Sequence, residues 1–290
     1  MGAPRIWRVN SETRVYCLIG GRASRSASPS VLNSAFRELG LDCVYVSFDV
    51  PKGDLSAAVA GIRALGIEGA NVTTPHKTEA VRLLDGLSAE ADAAQAVNVI
   101  KNASGKLRGF NTDGEGAVKA LERVTDVNGG KAVVIGAGGA GRAIALALAK
   151  RAADVALANR SFEKAEAAAR RFEELGVRVR PLPLNPPVLR EELRDADVLV
   201  NATTLGSPPL EDVSPVPPGA LRPGLTVLDA VYNPLKTRLL RQAESAGCRV
   251  VDGVWMLVYQ AAEALRIWAG VSDPPLRVMR QAALDWVVGG

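Results

Sequence analysis

Short runs of β-branched and other apolar residues alternate with longer alanine-rich stretches along this chain. Val15–Ile19, Val44–Phe48 and Ala70–Thr73 have the length and composition of buried strands. The stretches that begin at Pro29 and Leu55 carry apolar residues at helical spacing. Strands that alternate with amphipathic helices are typical of βα units. We therefore expect an α/β fold with a mostly parallel sheet.

The pattern changes twice in the middle of the chain. Val97–Ile100 and Leu107–Phe110 flank the turn sequence Asn102–Gly105, which predicts a β-hairpin. After Asn128–Gly130 a second βα series begins with the strand Lys131–Ile135. A chain of 290 residues with two such series favours two domains.

The alternation continues to the end of the chain. The further elements we predict are a helix ending near Lys150, a strand over Asp154–Ala158, a helix over Phe162–Leu175, strands over Val198–Val200 and Thr226–Leu228, and helices over Gly253–Trp268 and Pro275–Val287. The stretch Pro181–Pro187 is rich in proline, which predicts a loop.

The composition is that of a globular protein, with 48% hydrophobic and 23% charged residues. No apolar run reaches the roughly 18 residues of a transmembrane helix, and residues 1–14 lack the apolar segment of a secretory signal. We therefore expect a cytoplasmic protein. Three cysteines without metal-ligand spacing and a single histidine predict small buried thiols and no metal site.

The net charge of +4 and the pI near 9.1 raise the question of nucleic-acid binding. The basic residues are scattered among almost as many acidic ones, and aromatic residues make up only 4% of the chain. Nucleic-acid modules concentrate basic residues on one face and often add aromatic residues that stack on bases. An enzyme for small anionic molecules therefore explains the charge at least as well, and we expect no nucleic-acid or membrane partner.

The strand that ends at Ile135 is followed by the sequence GAGGAG and a helical stretch. A GxGxxG motif in this position is typical of dinucleotide-binding folds. Its first glycine allows a tight turn, its second lets the backbone approach a pyrophosphate, and its third allows helix and strand to pack closely. Free N–H groups at the helix N-terminus favour phosphates. The cofactor candidates in this loop are Gly136, Ala137, Gly138, Gly139, Ala140 and Gly141.

The end of the next strand distinguishes NAD from NADP. NAD sites usually carry Asp or Glu there, which binds the ribose 2′-hydroxyl. This chain has Asn159, Arg160 and Ser161, with Lys164 one turn later. No carboxylate repels a 2′-phosphate, and a guanidinium can pair with one. NADP is the predicted cofactor, although Arg160 and Lys164 are also ordinary solvated residues for the start of a helix.

Three polar clusters lie at the ends of expected strands. Ser24–Pro29 follows the first strand, Asn71–Lys77 follows the third, and Phe110–Gly114 precedes the second series. Each has a structural explanation, because the hydroxyls of the first cluster and Asp113 of the last can cap helices, and Lys77 can be a surface lysine. The same side chains can instead bind a polyol.

Taken in order, these motifs resemble the shikimate dehydrogenase family over residues 14–288. The resemblance rests on Ser26–Pro29, Asn71–Lys77, Asn98, Asn111–Gly114, the glycine loop, Asn159–Ser161, Asn201–Thr203, Asp229–Tyr232 and Asp252–Gln260. Arg25 stands where the family usually has histidine, which changes the charge at the pocket mouth. Trp255 stands where a small residue is common, and is either a core anchor or a narrowing of the nicotinamide side of the cleft.

The resemblance implies two α/β domains with the active site in the cleft between them. Residues 1–111, completed by helices in 252–290, would form the substrate domain, and 112–251 a Rossmann domain for NADP. Lys77 and Asp113 would be the catalytic pair. The substrate residues would be Ser26, Ser28, Thr73, Lys77, Asn98, Asp113, Tyr232 and Gln260, and the cofactor site would gain Thr203, Ala230, Gly253 and Met256. The substrates would be shikimate and 3-dehydroshikimate, and the chain would be a monomer or homodimer.

This assignment agrees with the chemistry of ketone reduction, which needs a hydride donor, a proton source and positive charge where the alkoxide develops. NADPH would supply the hydride and the Lys77 ammonium the positive charge. Three alternatives stay open: a quinate enzyme, a methylenetetrahydrofolate dehydrogenase, and a non-enzymatic paralogue that binds NADP or shikimate. The paired serines favour shikimate over quinate, and the intact Lys77 and Asp113 disfavour the paralogue.

Overall fold

The computed structural model describes residues 9–152 and 154–289. The first eight residues, part of the segment in which we predict no secretory signal, lie outside this range. Two six-stranded sheets and the helices that pack on them form the fold. The predicted α/β class is therefore confirmed.

The first sheet is mixed, with mostly parallel pairs. It contains β1 (Arg14–Gly20), β2 (Cys43–Asp49), β3 (Gly69–Val72), β4 (Gly86–Leu87), β5 (Val99–Ala103) and β6 (Lys106–Phe110), in the order β2-β1-β3-β5-β6-β4. β1 pairs parallel with β2 and β3, whereas β5 pairs antiparallel with β3 and with β6. The last pair is the predicted hairpin. The helices of this part are α1 (Ser28–Glu38), α2 (Leu55–Ala64) and α3 (Ala89–Ala94).

The second sheet is entirely parallel in its described pairs. It contains β7 (Lys131–Ile135), β8 (Asp154–Asn159), β9 (Arg180–Pro183), β10 (Val198–Asn201), β11 (Thr226–Asp229) and β12 (Arg249–Val251), in the order β12-β11-β10-β7-β8-β9. The helices are α4 (Asp113–Leu121), α5 (Gly139–Ala149), α6 (Phe162–Glu173), α7 (Pro186–Glu192) and α8 (Arg238–Ser245). This strand order is that of a Rossmann fold, which binds dinucleotides where the order reverses, here beside β7.

The two last helices return to the first sheet. They are α9 (Gly253–Ala269) and α10 (Leu276–Gly289), and both share a buried core with α1 and β1. Trp268 of α9 lies over β3 and donates its indole N–H to the carbonyl oxygen of Ile100 at 2.8 Å. The opposite end of α9 reaches the second sheet, where Met256 joins the core of that half.

The prediction of a loop at Pro181–Pro187 is wrong. Pro181 and Pro183 belong to β9, an edge strand whose one pairing among the described residues is with β8. Proline is tolerated at an edge because its missing N–H can face away from the ladder. The next two prolines open α7, whose first turn is capped by the Asn185 side chain, an acceptor for the Val188 N–H at 3.1 Å. Proline at the first helical positions is favoured.

Substitution Gly69→Ala tests the anchoring of α9 on the first sheet. A Cβ at Gly69 would lie 2.4 Å from the indole nitrogen of Trp268. The ring must move and its bond to Ile100 is lost, so we expect the free energy of unfolding to fall by about 2–3 kcal/mol in urea denaturation. The control is Gly61→Ala in α2, whose added Cβ meets no atom within 4 Å. Equal stability of the two variants would contradict this role of Trp268.

Candidate active site

A cavity of about 180 Å³ lies where the first sheet meets α4, α5 and α9. Sites for drug-sized ligands typically measure roughly 300–1,000 Å³, so this cavity suits a smaller molecule. Its lining includes all eight predicted substrate residues: Ser26, Ser28, Thr73, Lys77, Asn98, Asp113, Tyr232 and Gln260. Four predicted cofactor residues also line it: Ala140, Ala230, Gly253 and Met256.

Four further lining residues were not among the predicted ones: Leu18, Asn71, Val72 and Leu257. The sequence could have identified Asn71 as a lining residue. It precedes the candidate Thr73 by two residues, and side chains at i and i+2 of a strand share a face. Its amide is held by the Tyr45 hydroxyl, which donates to Asn71 Oδ1 at 2.7 Å. Nothing in the sequence distinguishes the three apolar residues from ordinary core residues.

Lys77 and Asp113 form an ion pair inside the protein. Lys77 Nζ donates to Asp113 Oδ2 at 2.5 Å, and the two side chains are only 17% and 5% exposed. Asp113 Oδ1 accepts from Asn98 Nδ2 at 2.9 Å. Both carboxylate oxygens are thus used by side chains, and α4 has no side-chain cap. The explanations of Lys77 as a surface lysine and Asp113 as a helix cap are therefore not supported.

Asn98 joins the ion pair to the rest of the fold. It is 2% exposed, and its Nδ2 also donates to Thr112 Oγ1 at 2.9 Å and to Gln260 Oε1 at 3.3 Å. Its Oδ1 accepts the Thr112 backbone N–H at 2.8 Å. One amide therefore connects the end of the first sheet with α4 and α9.

A cluster of hydroxyl groups lines another part of the cavity. Ser26 Oγ lies 3.1 Å from Ser28 Oγ and 3.3 Å from the Tyr232 hydroxyl. Helix α1, which begins at Ser28, has no side-chain cap. Ser26 Oγ nevertheless accepts the Ser28 backbone N–H at 3.2 Å, so it also orders the start of α1. The Ser28 and Tyr232 hydroxyls face the cavity and can donate to a ligand.

The glycine loop between β7 and α5 has the geometry of a phosphate site. A Cβ at Gly141 would lie 1.7 Å from the Gly136 carbonyl oxygen, so helix and strand pack closely. Gly136 has φ of +108°, and a Cβ there would lie 2.9 Å from the methyl group of Thr203. Gly138 is exposed, and a Cβ there would meet no atom within 4 Å. The loop therefore presents open backbone before the first turn of α5, which begins at Gly139.

At the end of β8, Asn159 shapes the glycine loop, whereas the next residues are exposed. Asn159 Oδ1 accepts the Ala137 N–H at 3.0 Å, and its Nδ2 donates to the Ser161 carbonyl oxygen at 2.8 Å. Asn159 thus shapes the glycine loop. Arg160, Ser161 and Lys164 are exposed, beyond the end of a strand that carries no carboxylate there.

Asp229 supports the segment that brings Ala230 and Tyr232 to the cavity. Burial raises the pKa of Asp229 to about 6, against hydrogen bonds from Thr237, the Val231 N–H and Asn201, which lower it. The Thr237 hydroxyl donates to Asp229 Oδ2 at 2.7 Å. This carboxyl group lies under the loop and does not line the cavity.

The two departures from the family pattern lie outside the cavity lining. Trp255 lies between the guanidinium groups of Arg123 and Arg280, 3.5 and 4.2 Å from its ring centre, and stacks on Tyr259. This supports the interpretation of Trp255 as a packing anchor. Arg25 is exposed in a short 3-10 helix.

Within residues 9–152 and 154–289, no cluster of three or more His, Cys, Asp or Glu side chains is arranged to bind a metal ion. In the same part of the chain, no helix combines the length and the apolarity that crossing a bilayer requires. Cys17 and Cys43 are buried, Cys248 is partly buried, and all three are unpaired.

A Rossmann sheet with an open glycine loop lies next to a small polar cavity that holds a largely buried lysine–carboxylate pair. This combination defines a two-domain, nicotinamide-dependent oxidoreductase. Three family models match the chain: the shikimate dehydrogenase substrate binding domain over residues 18–100, shikimate/quinate 5-dehydrogenase over 118–213, and the shikimate 5′-dehydrogenase C-terminal domain over 253–284. The chain belongs to the shikimate dehydrogenase family.

Individual relatives agree with this assignment. The chain is 47% identical to shikimate dehydrogenase (NADP(+)) of Methanopyrus kandleri, over 96% of this chain and 97% of that one. A crystal structure of a shikimate dehydrogenase in complex with NADP+ is similar with a TM-score of 0.89 and 41% identity, covering 97% and 98% of the two chains. A quinate dehydrogenase of Corynebacterium glutamicum in complex with NAD has a TM-score of 0.84 and 29% identity, covering 94% and 99%. The fold alone therefore does not select the substrate.

The raised pKa of Asp229 predicts a pH-dependent contribution to stability. The pKa of Asp229 is about 6 in the folded protein and roughly 3.9 in the unfolded chain. This difference stabilises the folded state in full below about pH 4, and the stabilisation is lost as the pH rises through 6. Asp229→Asn removes this titration. We expect the free energy of unfolding of the variant minus that of the unaltered chain, measured in urea denaturation, to increase by about 2–3 kcal/mol as the pH is raised from 4 to 7. A difference that is independent of pH would contradict the assignment.

Proposed function

We propose that this chain catalyses the reversible, NADP-dependent reduction of 3-dehydroshikimate to shikimate, a step in chorismate and aromatic amino acid biosynthesis. The observation that carries the proposal is the largely buried Lys77–Asp113 ion pair in a cavity lined by hydroxyl and amide groups. The names of the full-length relatives support the same reaction and cofactor. In this proposal residues 1–111 and 252–290 form the substrate domain and residues 112–251 the NADP domain, with Asp113 and Tyr232 of the NADP domain also binding the substrate. The cytoplasmic location and the monomeric or dimeric state stay predictions.

The second half of the chain fits NADP. Gly138 leaves open backbone at the N-terminus of α5 for the pyrophosphate. The exposed Arg160 guanidinium can pair with a 2′-phosphate, helped by Ser161 and Lys164, because no carboxylate stands at this strand end. Gly253 and Met256 border the cavity where a nicotinamide ring would meet the substrate. The bound cofactor supplies the hydride.

The part of the cavity lined by the predicted substrate residues fits a hydroxylated carboxylic acid. The Ser28 and Tyr232 hydroxyls both lie within 3.3 Å of Ser26 Oγ, and a group of three hydroxyls suits the oxygens of a carboxylate. Thr73, Asn98 and Gln260 provide further groups that can bind ring hydroxyls. A buried polar site of this kind discriminates strongly, because a ligand that lacks a matching group leaves site groups unpaired.

Lys77 acts at the reacting carbonyl. Its ammonium group stabilises the oxygen as negative charge develops and is placed to give it a proton. Asp113 holds Nζ in position and accepts a hydrogen bond from a substrate hydroxyl. Asn98 fixes Asp113 in turn, so the pair keeps its geometry when water is excluded from the cavity.

The proposal is tested by absorbance at the NADPH wavelength after mixing the purified protein with shikimate and NADP, and in parallel with quinate and with NAD. A rapid rise with shikimate and NADP is expected. A faster rise with quinate and NAD would establish the alternative, a quinate dehydrogenase. Absence of a rise in every pairing, from folded protein that still binds NADP, would leave a binding-only paralogue.

Substitution Lys77→Ala tests the catalytic pair. We expect kcat to fall by about 10²–10⁴, because the transition-state charge and the proton donor are both lost, with a much smaller change in the KM for shikimate. The matched control is Lys52→Ala, which removes an exposed lysine from a short 3-10 helix. An unchanged kcat in Lys77→Ala would remove this lysine from the mechanism.

A further inference from the structure

Gly139 is a glycine that the GxGxxG pattern does not require. The pattern assigns its three fixed positions to Gly136, Gly138 and Gly141. Gly136 and Gly141 are closely packed within the loop, and Gly138 leaves its backbone open. Position 139 is one of the variable positions of the pattern. Its lack of a side chain therefore needs another explanation.

The explanation lies in what the position faces. A Cβ at Gly139 would lie 2.9 Å from the Cβ of Lys77 and 3.3 Å from the Cβ of Ala96. Carbon atoms pack best at roughly 3.5–4.0 Å, so even a methyl group is too large here. The neighbouring Gly138 is the opposite case, since a Cβ there would meet nothing within 4 Å. Of these two adjacent glycines, Gly138 thus faces open space and Gly139 faces the Lys77 side chain.

The backbone that carries the Lys77 side chain has little freedom to move away. The Lys77 carbonyl oxygen accepts the Val97 N–H at 2.7 Å. The preceding residue, His76, is fully buried, and its Nε2 donates to the Val50 carbonyl oxygen at 2.7 Å. A methyl group at position 139 would therefore displace the lysine side chain, or the start of α5, more easily than the backbone of the Lys77 loop.

Helix α5 also touches the element that carries the other member of the pair. Gly114 directly follows Asp113, and a Cβ at Gly114 would lie 2.4 Å from the carbonyl oxygen of Ala143 in α5. The helix whose first turn faces the cofactor side is thus in contact with Lys77 and with the start of α4. It therefore lies against the residues that carry both charged groups.

We propose that Gly139 is a positioning residue for catalysis: its missing side chain lets α5 seat against the Lys77 stem and so fixes Nζ relative to Asp113 and the reacting carbonyl. The proposal rests on the proposed function of Lys77. It assigns the two glycines different tasks, with Gly138 serving the dinucleotide and Gly139 serving the lysine.

The test compares Gly139→Ala with Gly138→Ala and with Gly61→Ala, a control in open space on α2. For each purified variant, kcat, the KM for shikimate and the Kd for NADP are measured, the last by titration calorimetry. We expect Gly139→Ala to lose at least tenfold in kcat while its Kd for NADP stays within about threefold of the unaltered chain. Gly138→Ala should show the reverse, a weakened Kd with a smaller loss of kcat at saturation.

Two results would overturn the proposal: an unchanged kcat in Gly139→Ala, or a weakened Kd for NADP with kcat retained at saturation. If Gly139→Ala does not fold, the double variant Ala96→Gly/Gly139→Ala, which removes the contact with the Ala96 Cβ, is compared with Ala96→Gly. A loss of kcat with an unchanged Kd for NADP then supports the proposal, and the opposite result overturns it. The unaltered chain separates this test from that of the function. If it does not turn over shikimate with NADP, the proposed function fails and the role of Gly139 fails with it.

Discussion

The ion pair of Lys77 and Asp113 is the constraint on which the rest of the site depends. Removing two charges from water is costly, and their mutual attraction offsets that cost only when the geometry is good and the remaining polar atoms are hydrogen-bonded. Here the second carboxylate oxygen is satisfied by Asn98, which is itself held by the backbone N–H of Thr112. The partners come from the first sheet, α4 and α9, so the pair is stable only when these elements meet at fixed distances.

The close packing around α4 follows from this requirement. Gly114 lies against the backbone of α5, and a Cβ at Gly116 would lie 2.9 Å from the backbone nitrogen of Gln260 in α9. Two glycines on one short helix let both neighbours approach at backbone distance, at some cost in helix propensity. The first residue of this helix is Asp113. Helix α4, which carries the carboxylate, thus packs closely between α5 and α9, and this leaves the carboxylate little room to shift.

The sequence predicted those features that depend on local chemistry. The glycine loop, the absence of a carboxylate after β8 and the β5–β6 hairpin all lie in short contiguous segments. Features that depend on distant partners were harder. The edge strand at Arg180–Pro183 is stabilised by β8, and its prolines concealed it. Leu18 and Leu257 reach the cavity only because β1 and α9 meet there. The substrate residues were assembled through the family resemblance, because no spacing rule brings Ser26 next to Tyr232.

The two halves of the chain contribute different kinds of recognition. The second half offers backbone N–H groups and flexible basic side chains, which suit phosphates that every dinucleotide carries. The first half offers hydroxyl and amide groups fixed by buried partners, as Asn71 is fixed by Tyr45. Since relatives with one fold act on shikimate and on quinate, substrate choice must reside in such side chains and not in the architecture. A change of substrate therefore requires new side chains around Ser26, Ser28 and Tyr232, while the glycine loop, the residues after β8 and the ion pair can stay as they are.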